Sequence, residues 1–202
     1  INPGSTSTKI AVYEDEQPIL LRSIRHTIEE LDRFPRIVDQ MDFRRDLVVD
    51  ELRRMGVKCR FDAIIGRGGL AKPVSGGVYE VNRQMCLDMY HAQRQHVCNL
   101  GCIIAYELAS KIPGCKSYIA DPVVVDEMED VARISGSPLM PRVPVWHALN
   151  QKAVGRRFAR ENGQHYEDLN LIICHLGGGI SIAAHRKGRA VDANNGLDGE
   201  GP

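Results

Sequence analysis

Two short runs in this 202-residue sequence combine residue types that hold anions. The first is Asn2-Pro3-Gly4-Ser5-Thr6-Ser7-Thr8-Lys9. Its glycine lets the backbone approach an anion closely, its hydroxyls and amide N–H groups can donate to phosphate oxygens, and Lys9 adds positive charge. It is not a P-loop, because the GxxxxGKS/T spacing is absent and a strand follows instead of a helix. Taken alone, it reads equally well as a solvated hairpin turn. The second run is His175-Leu176-Gly177-Gly178-Gly179-Ile180-Ser181. Three consecutive glycines are hard to justify by stability, since each adds unfolded-state entropy. Their N–H groups can line a polyphosphate. A flexible hairpin is the alternative, and His175 alone reads as a hydrogen-bonded turn histidine.

The elements that must position these runs follow from pattern. Residues 10–13 and 19–25 read as strands around the turn Glu14-Asp15-Glu16-Gln17-Pro18. Pro35 opens a helix carrying Ile37, Val38, Met41, Val48, Leu52 and Met55, ended by Gly56. A short strand over 61–66 enters the glycine-rich connection Arg67-Gly68-Gly69, and 72–77 form a turn-rich loop. One long helix is expected over 83–111, stopped by Pro113-Gly114, then a strand over 117–120 ending at Asp121-Pro122. Residues 150–161 make an amphipathic helix. Residues 169–174 make a buried-type strand, and 180–185 with 189–192 a hairpin around Lys187-Gly188. This order is α/β with a mixed sheet flanked by helices. The pattern divides into an N-terminal α/β domain, 1–155, and the start of a second, 156–202.

Lys and Arg total 26 against 26 Asp and Glu, so no charge excess points to nucleic acid or an acidic tail. No apolar run approaches the roughly 18 residues a membrane-spanning helix needs, and no signal peptide is visible. The six cysteines show no CxxC or Cys/His metal spacing, and Cys98 and Cys102 read as packing residues in a reducing compartment, the cytoplasm. Both ends read as cut, so the function is expected to belong to a longer protein.

Two phosphate-type turns, each opening its own α/β unit, are how the ribonuclease H-like actin/hexokinase/Hsp70 type of fold grips a nucleotide between two similar domains. Within that superfamily the sequence resembles the acetokinase family, most closely its butyrate and branched-chain carboxylate kinases. The resemblance rests on 2–9, Ile65-Gly66-Arg67-Gly68-Gly69-Leu70, His96 with Asn99-Leu100-Gly101, Ala120-Asp121-Pro122-Val123, 146–152, 175–179 and 192–202, in family order across the whole chain.

The resemblance implies ATP-dependent phosphorylation of a short-chain carboxylate to an acyl phosphate, and the reverse reaction, with Mg²⁺. By likeness, Asn2, Ser5, Thr6 and Lys9 belong to the first phosphate turn, and His175, Gly177, Gly178 and Gly179 to the second. Asp121 matches the active-site aspartate and suits Mg²⁺ or its waters, with Asn2 on the metal side. Arg67 suits the acceptor carboxylate or the phosphoryl group, because it is permanently charged and grips two oxygens. His175 can donate to developing charge. His147 is a further catalytic candidate, though Trp146-His147 also reads as packing at the domain junction. By likeness alone, His96 and Asn99 are pocket candidates. Arg156, Arg157 and Arg160 read as a solvated helix face.

Two departures from acetate kinases narrow the substrate. Those carry a histidine-rich run ending His-Gly-Gly where this chain has Ile64-Ile65-Gly66-Arg67-Gly68-Gly69, and a second histidine where Gln151 follows His147. A longer or branched acid is therefore expected in place of acetate. The rivals are acetate kinase itself, a sugar kinase or chaperone-type ATPase, and a noncatalytic nucleotide-binding regulatory or assembly subunit. The first turn of the sugar-kinase and chaperone types generally begins with Asp, whereas Asn2 stands here. Relatives of this kind are usually at least dimeric, so the resemblance implies a homodimer or larger homo-oligomer. The adenosine pocket, another arginine, a metal-side glutamate and a closing helix are expected beyond residue 202, and residues 1–202 alone are expected to be inactive.

Overall fold

Alternation along Ser7–Glu14 buries Thr8, Ile10 and Val12 and leaves their neighbours outward, the period of a half-buried strand. In the computed structural model, which describes residues 1–198, this strand (β2) lies between β1 (Asn2–Pro3) and β3 (Gln17–Arg25) in an antiparallel sheet. The expected turn between β2 and β3 is present, with Asp15 left-handed at φ 52°. The chain then makes one short helix, α1 (Ile28–Leu31), closed by a Thr27/Glu30 capping box. The helix expected after Pro35 begins as a 3-10 turn, Ile37–Gln40, and continues as α2 (Met41–Arg54). Arg44, Val48 and Leu52, four residues apart, form its buried stripe, and Val48 and Leu52 join Ile10, Val12 and Leu20 in one core cluster.

The same unit, Ile1–Ala71 with Val78–Ala120, holds a second, mixed sheet. In it β6 (Lys116–Ala120) runs parallel to β4 (Ala63–Gly66) and antiparallel to β5 (Val78–Glu80). Strand β5, three residues long, has no sequence signal of its own. The single long helix expected over 83–111 is two helices, α3 (Arg83–Tyr90) and α4 (Asn99–Ala109). Side chains take over backbone groups in the gap. Gln95 donates to the Tyr90 and Ala92 carbonyls at 3.3 and 2.8 Å, and His96 Nδ1 accepts from the Cys98 N–H at 3.2 Å. Such bonds offer the chain an alternative to the helical ladder without interrupting the apolar pattern.

The other unit comprises Lys72–Gly77 and the chain from Asp121 onward. Its helix α5 (Ala148–Glu161) starts two residues before the expected position. Its sheet is antiparallel in the order β7 (Asn170–Leu176), β8 (Ile180–Arg186), β9 (Arg189–Ala193). The β8–β9 turn has both Lys187 and Gly188 left-handed, at φ 50° and 80°, as a two-residue hairpin loop requires. Val125, Trp146, Ala148, Ala183, Ala190 and Ala193 form its core, and the Trp146 indole N–H donates to the Val125 carbonyl at 2.8 Å. Strand β7 is not the buried strand expected. Leu171 and Ile173 are half-buried, whereas Ile172 and Leu176 are 78% and 74% exposed. A continuous apolar run does not distinguish burial on one face from burial on two. Among the described residues the cysteines are unpaired; Cys98 and Cys102 are buried as expected, while Cys59 and Cys174 are exposed.

Candidate functional site

The first anion-type run is the β1–β2 hairpin. Asn2 pairs with Lys9 and Pro3 with Thr8, so Asn2 and Lys9 lie on one face, both exposed, as are Ser5 and Thr6 at the tip. Gly4 N–H donates to the Ser7 carbonyl at 2.7 Å and tightens the turn. Beneath it lies Arg44, 1% exposed, a residue the sequence reading passed over. Its guanidinium donates to the carbonyls of Gly4 (3.0 Å) and Ser7 (3.3 Å), to Thr8 Oγ1 (3.0 Å) and to Gln40 Oε1 (3.0 Å). Burial brings its pKa down to about 10. Thr8 Oγ1 also meets His26 Nε2 at 2.8 Å. A charged core residue thus fixes backbone carbonyls of the turn and the Thr8 hydroxyl inward, while Ser5 and Thr6 stay exposed. The only sequence signal for it is an arginine in line with Val48 and Leu52.

Arg67 belongs to the same unit. Its backbone N–H donates to the Ile1 carbonyl at 2.9 Å and its guanidinium reaches Asn2 Oδ1 at 3.4 Å, so these two candidates are brought together. His96 is held below the ordinary histidine range by burial, with the Arg67 charge adding to the effect. The glycines around Arg67 have a packing reason. A Cβ on Gly66 would sit 2.0 Å from the Gly101 carbonyl oxygen, and one on Gly69 would sit 2.3 Å from Asn99 Oδ1. Asn99 spends its amide on structure, accepting from Leu70 N–H at 2.9 Å and donating to the Met89 carbonyl at 3.2 Å. It braces the Arg67 loop against α4 and α3, a structural use for a residue singled out as a pocket candidate.

In the other unit Asp121 follows β6 in a left-handed conformation, φ 37°, and is 4% exposed. For a residue with a Cβ this backbone state is uncommon and costs energy. Asp121 and Gly77 exchange two bonds: the aspartate N–H donates to the Gly77 carbonyl, and Oδ1 accepts from the Gly77 N–H, each at 2.8 Å. Oδ2 accepts from Arg156 at 3.1 Å. Arg156 is therefore not simply part of a solvated face: it pairs with the aspartate and lies over the Tyr166 ring, 5.7 Å from its centroid. Arg157 keeps the expected exposed role, pairing with Glu161. Nearby, Lys152 and Glu127 form a buried ion pair, with Lys152 Nζ 3.0 and 2.9 Å from the two carboxylate oxygens. Burial works to raise the Glu127 pKa. The bonds from Lys152 and from the N–H groups of Ala190 and Gly76 outweigh it and hold the carboxyl below its usual range.

His147 and His175 meet face to face, ring centroids 3.7 Å apart and planes 8° from parallel. Neither periodicity nor spacing announces this pairing of the end of one loop with a strand. His175 Nδ1 lies 3.0 Å from Asn150 Oδ1, and His147 Nδ1 lies 2.8 Å from Ser181 Oγ. The glycines 177–179 connect β7 to β8, where Leu176 pairs with Ile180. A Cβ on Gly178 would meet open space, and none of the three glycines is left-handed, so packing and backbone conformation do not call for glycine at 178. A Cβ on Gly179 would lie 3.5 Å from the His147 ring. The imidazole pair therefore stands at the glycine turn, whose backbone N–H groups are donors able to face an anion.

The acetokinase family profile matches residues 144–199, which include His147, His175 and the glycine turn. A probable butyrate kinase of Bacteroides thetaiotaomicron is 65% identical over 202 residues, all of this chain and 57% of that protein. Butyrate kinase 2 of Clostridium acetobutylicum is 51% identical over 203 residues, with the same two coverages. Among solved structures, Porphyromonas gingivalis acetate kinase superimposes with a TM-score of 0.67 at 17% identity, covering 96% of this chain and 56% of that one. A propionate kinase of Francisella tularensis gives 0.63 at 17% identity, covering 97% and 56%. These likenesses bear out the α/β fold of the actin/hexokinase type. The chain spans 57% of the length of the curated relatives it matches.

Proposed function

We propose, from the premise that this is acetokinase-family sequence, that the protein phosphorylates a short-chain carboxylate, butyrate or a branched relative, with ATP and Mg²⁺, reversibly and by direct in-line transfer. The observation that carries the reading is the turn at 177–179, where glycine serves neither packing nor backbone conformation while two stacked imidazoles flank it. The identity to proteins named butyrate kinase favours butyrate over acetate, as does Gln151 in place of a histidine.

A carboxylate acceptor is already ionised at pH 7, so the site has no need of a general base. The barrier lies in bringing one anion to another in line, which makes positioning and charge stabilisation the work of the residues. In the first unit, Ser5, Thr6 and Lys9 receive phosphate oxygens, and Arg67 grips the acceptor carboxylate or the transferring group. In the second unit the N–H groups of Gly177, Gly178 and Gly179 donate to phosphate oxygens and His147 donates to developing charge, while His175, whose Nδ1 is turned to Asn150 Oδ1, stacks on it. Asp121 suits a magnesium ion: each of its oxygens accepts one bond and keeps a lone pair. Among the described residues no group of three His, Cys, Asp or Glu side chains forms a protein cage. Mg²⁺ prefers one or two carboxylates, waters and substrate phosphates. A bound ion would neutralise charge on the phosphates; Asp121 is the oxygen-donor candidate of the second unit and Asn2 that of the first.

The remaining expectations stand as parts of the same proposal: an N-terminal α/β domain over 1–155 and the start of a second over 156–202, a homodimer or larger homo-oligomer, and a cytoplasmic enzyme. Among the described residues no helix is long and apolar enough to cross a membrane. The test is hydroxylamine trapping of acyl phosphate by the full-length protein with Mg-ATP and acetate, propionate, butyrate or isobutyrate. The strongest hydroxamate signal is expected with butyrate or isobutyrate. No hydroxamate from any acid, with nucleotide still bound, would replace this reading by that of a regulatory nucleotide-binding subunit.

A further inference from the structure

Behind the imidazole pair runs a buried file of polar side chains whose hydrogen-bond directions can be assigned one by one. Gln151 and Ser181 are fully buried, and His185 and Tyr166 are 2% and 3% exposed. Gln151 Nε2 lies 3.0 Å from the Ser181 carbonyl oxygen, which only accepts, so that end of the amide is the NH₂. Its second N–H donates to Ser181 Oγ, also at 3.0 Å. Gln151 Oε1 therefore faces His185 Nε2 at 3.0 Å as an acceptor, and the proton sits on that ring nitrogen. Burial holds the His185 pKa at about 4, so the ring is neutral and its Nδ1 accepts from the Tyr166 hydroxyl, 2.5 Å away. Burial also raises the tyrosine above its usual range, which keeps that hydroxyl protonated.

Ser181 completes the assignment. A hydroxyl has two lone pairs and one proton. The lone pairs are taken by Gln151 Nε2–H and by the His147 backbone N–H at 3.1 Å. The remaining contact, 2.8 Å to His147 Nδ1, is where the hydroxyl proton goes. We propose that the file Tyr166, His185, Gln151 and Ser181 is a positioning relay that fixes His147 as the Nε2–H tautomer, so that it meets the glycine turn as a hydrogen-bond donor. Every bond in the file points toward His147. The middle member is an amide, whose two ends are chemically different and which takes up no proton near neutrality. The relay is thus one-directional. That the acceptor at the turn is a phosphoryl oxygen rests on the proposed function; the tautomer itself does not.

The experiment is ¹⁵N–¹H correlation of ring nitrogens in the ¹⁵N-histidine-labelled full-length protein without ligand, with His147 assigned by the signal lost in His147→Gln. The wild-type spectrum is expected to show a pyridine-type Nδ1 and a pyrrole-type Nε2 at neutral pH. In Gln151→Glu the amide donor is gone, the Ser181 hydroxyl turns to the carboxylate, and His147 Nδ1 acquires a proton. In Ser181→Ala the Nδ1 resonance moves to that of an unbonded nitrogen, and Ser181→Thr restores it. A wild-type His147 carrying its proton on Nδ1 overturns the proposal, even if neither variant folds. So does a His147 unchanged in Gln151→Glu and Ser181→Ala. If the trapping assay fails while the tautomer is as assigned, the functional reading falls and the relay stands.

Discussion

The two anion-type turns are built by opposite means. The hairpin after Asn2 is held from below: a buried guanidinium takes the Gly4 and Ser7 carbonyls and Thr8 Oγ1, and the outward groups are left to a ligand. The turn at 177–179 is bordered from the side, by imidazoles whose ring nitrogens are set by neighbouring side chains. In the first, the arginine that holds the site also holds the core. In the second, chemistry and stability are carried by different atoms. Substitutions should therefore couple stability to activity at the first turn and separate them in the second unit.

The largest expected effect tests that separation. Asp121→Asn keeps the shape and the Gly77 N–H bond but drops the charge, so turnover in the trapping assay should fall on the order of 10³-fold, as for loss of a charge at a phosphoryl-transfer site. The urea midpoint should move little. A midpoint lowered as far as activity would erase the contrast. Next comes Arg44→Met, which leaves several buried acceptors without their donor and should lower unfolding free energy by about 3 kcal/mol, read in the same urea titration.

A third test uses pH. His185 has a folded pKa of about 4 against an ordinary value of 6.5, so between these values the unfolded chain binds more protons. Its contribution is full above pH 6.5 and is lost as pH falls toward 4, by at most about 3 kcal/mol. His185→Gln should flatten the acid limb of the stability curve, and an unaltered limb would remove this role. The smallest effects come from a pair of glycines. Gly66→Ala forces a methyl against the Gly101 backbone and should cost about 1–3 kcal/mol. Gly178→Ala enters open space and should change stability by less than about 0.5 kcal/mol. Equal melting losses for the two would show that the 177–179 turn is as tightly packed as the end of β4.

Much of the frame was legible because it is carried by local signals. Alternation marked Ile10 and Val12, and Lys187-Gly188 marked the β8–β9 turn. The break between α3 and α4 was not legible, since Gln95 and His96 interrupt the ladder through side-chain bonds that leave the apolar spacing intact. For the proposed site, sequence pointed to both turns, Asp121 and the two histidines. It did not point to Arg44, Arg156 or the file behind His147. Arg44 hides as one polar residue in an apolar stripe, Arg156 as one charge on a charged helix, and the file joins α5 to β8, where only the fold brings residues together.

The left-handed backbone at Asp121 has a consequence for how this position can drift. Glycine and asparagine enter that conformation most readily among replacements. Both discard the carboxylate. The substitutions a folding chain would accept with least resistance at residue 121 are thus the ones that silence the proposed chemistry, so screens for thermal robustness and screens for turnover should enrich opposite codons there.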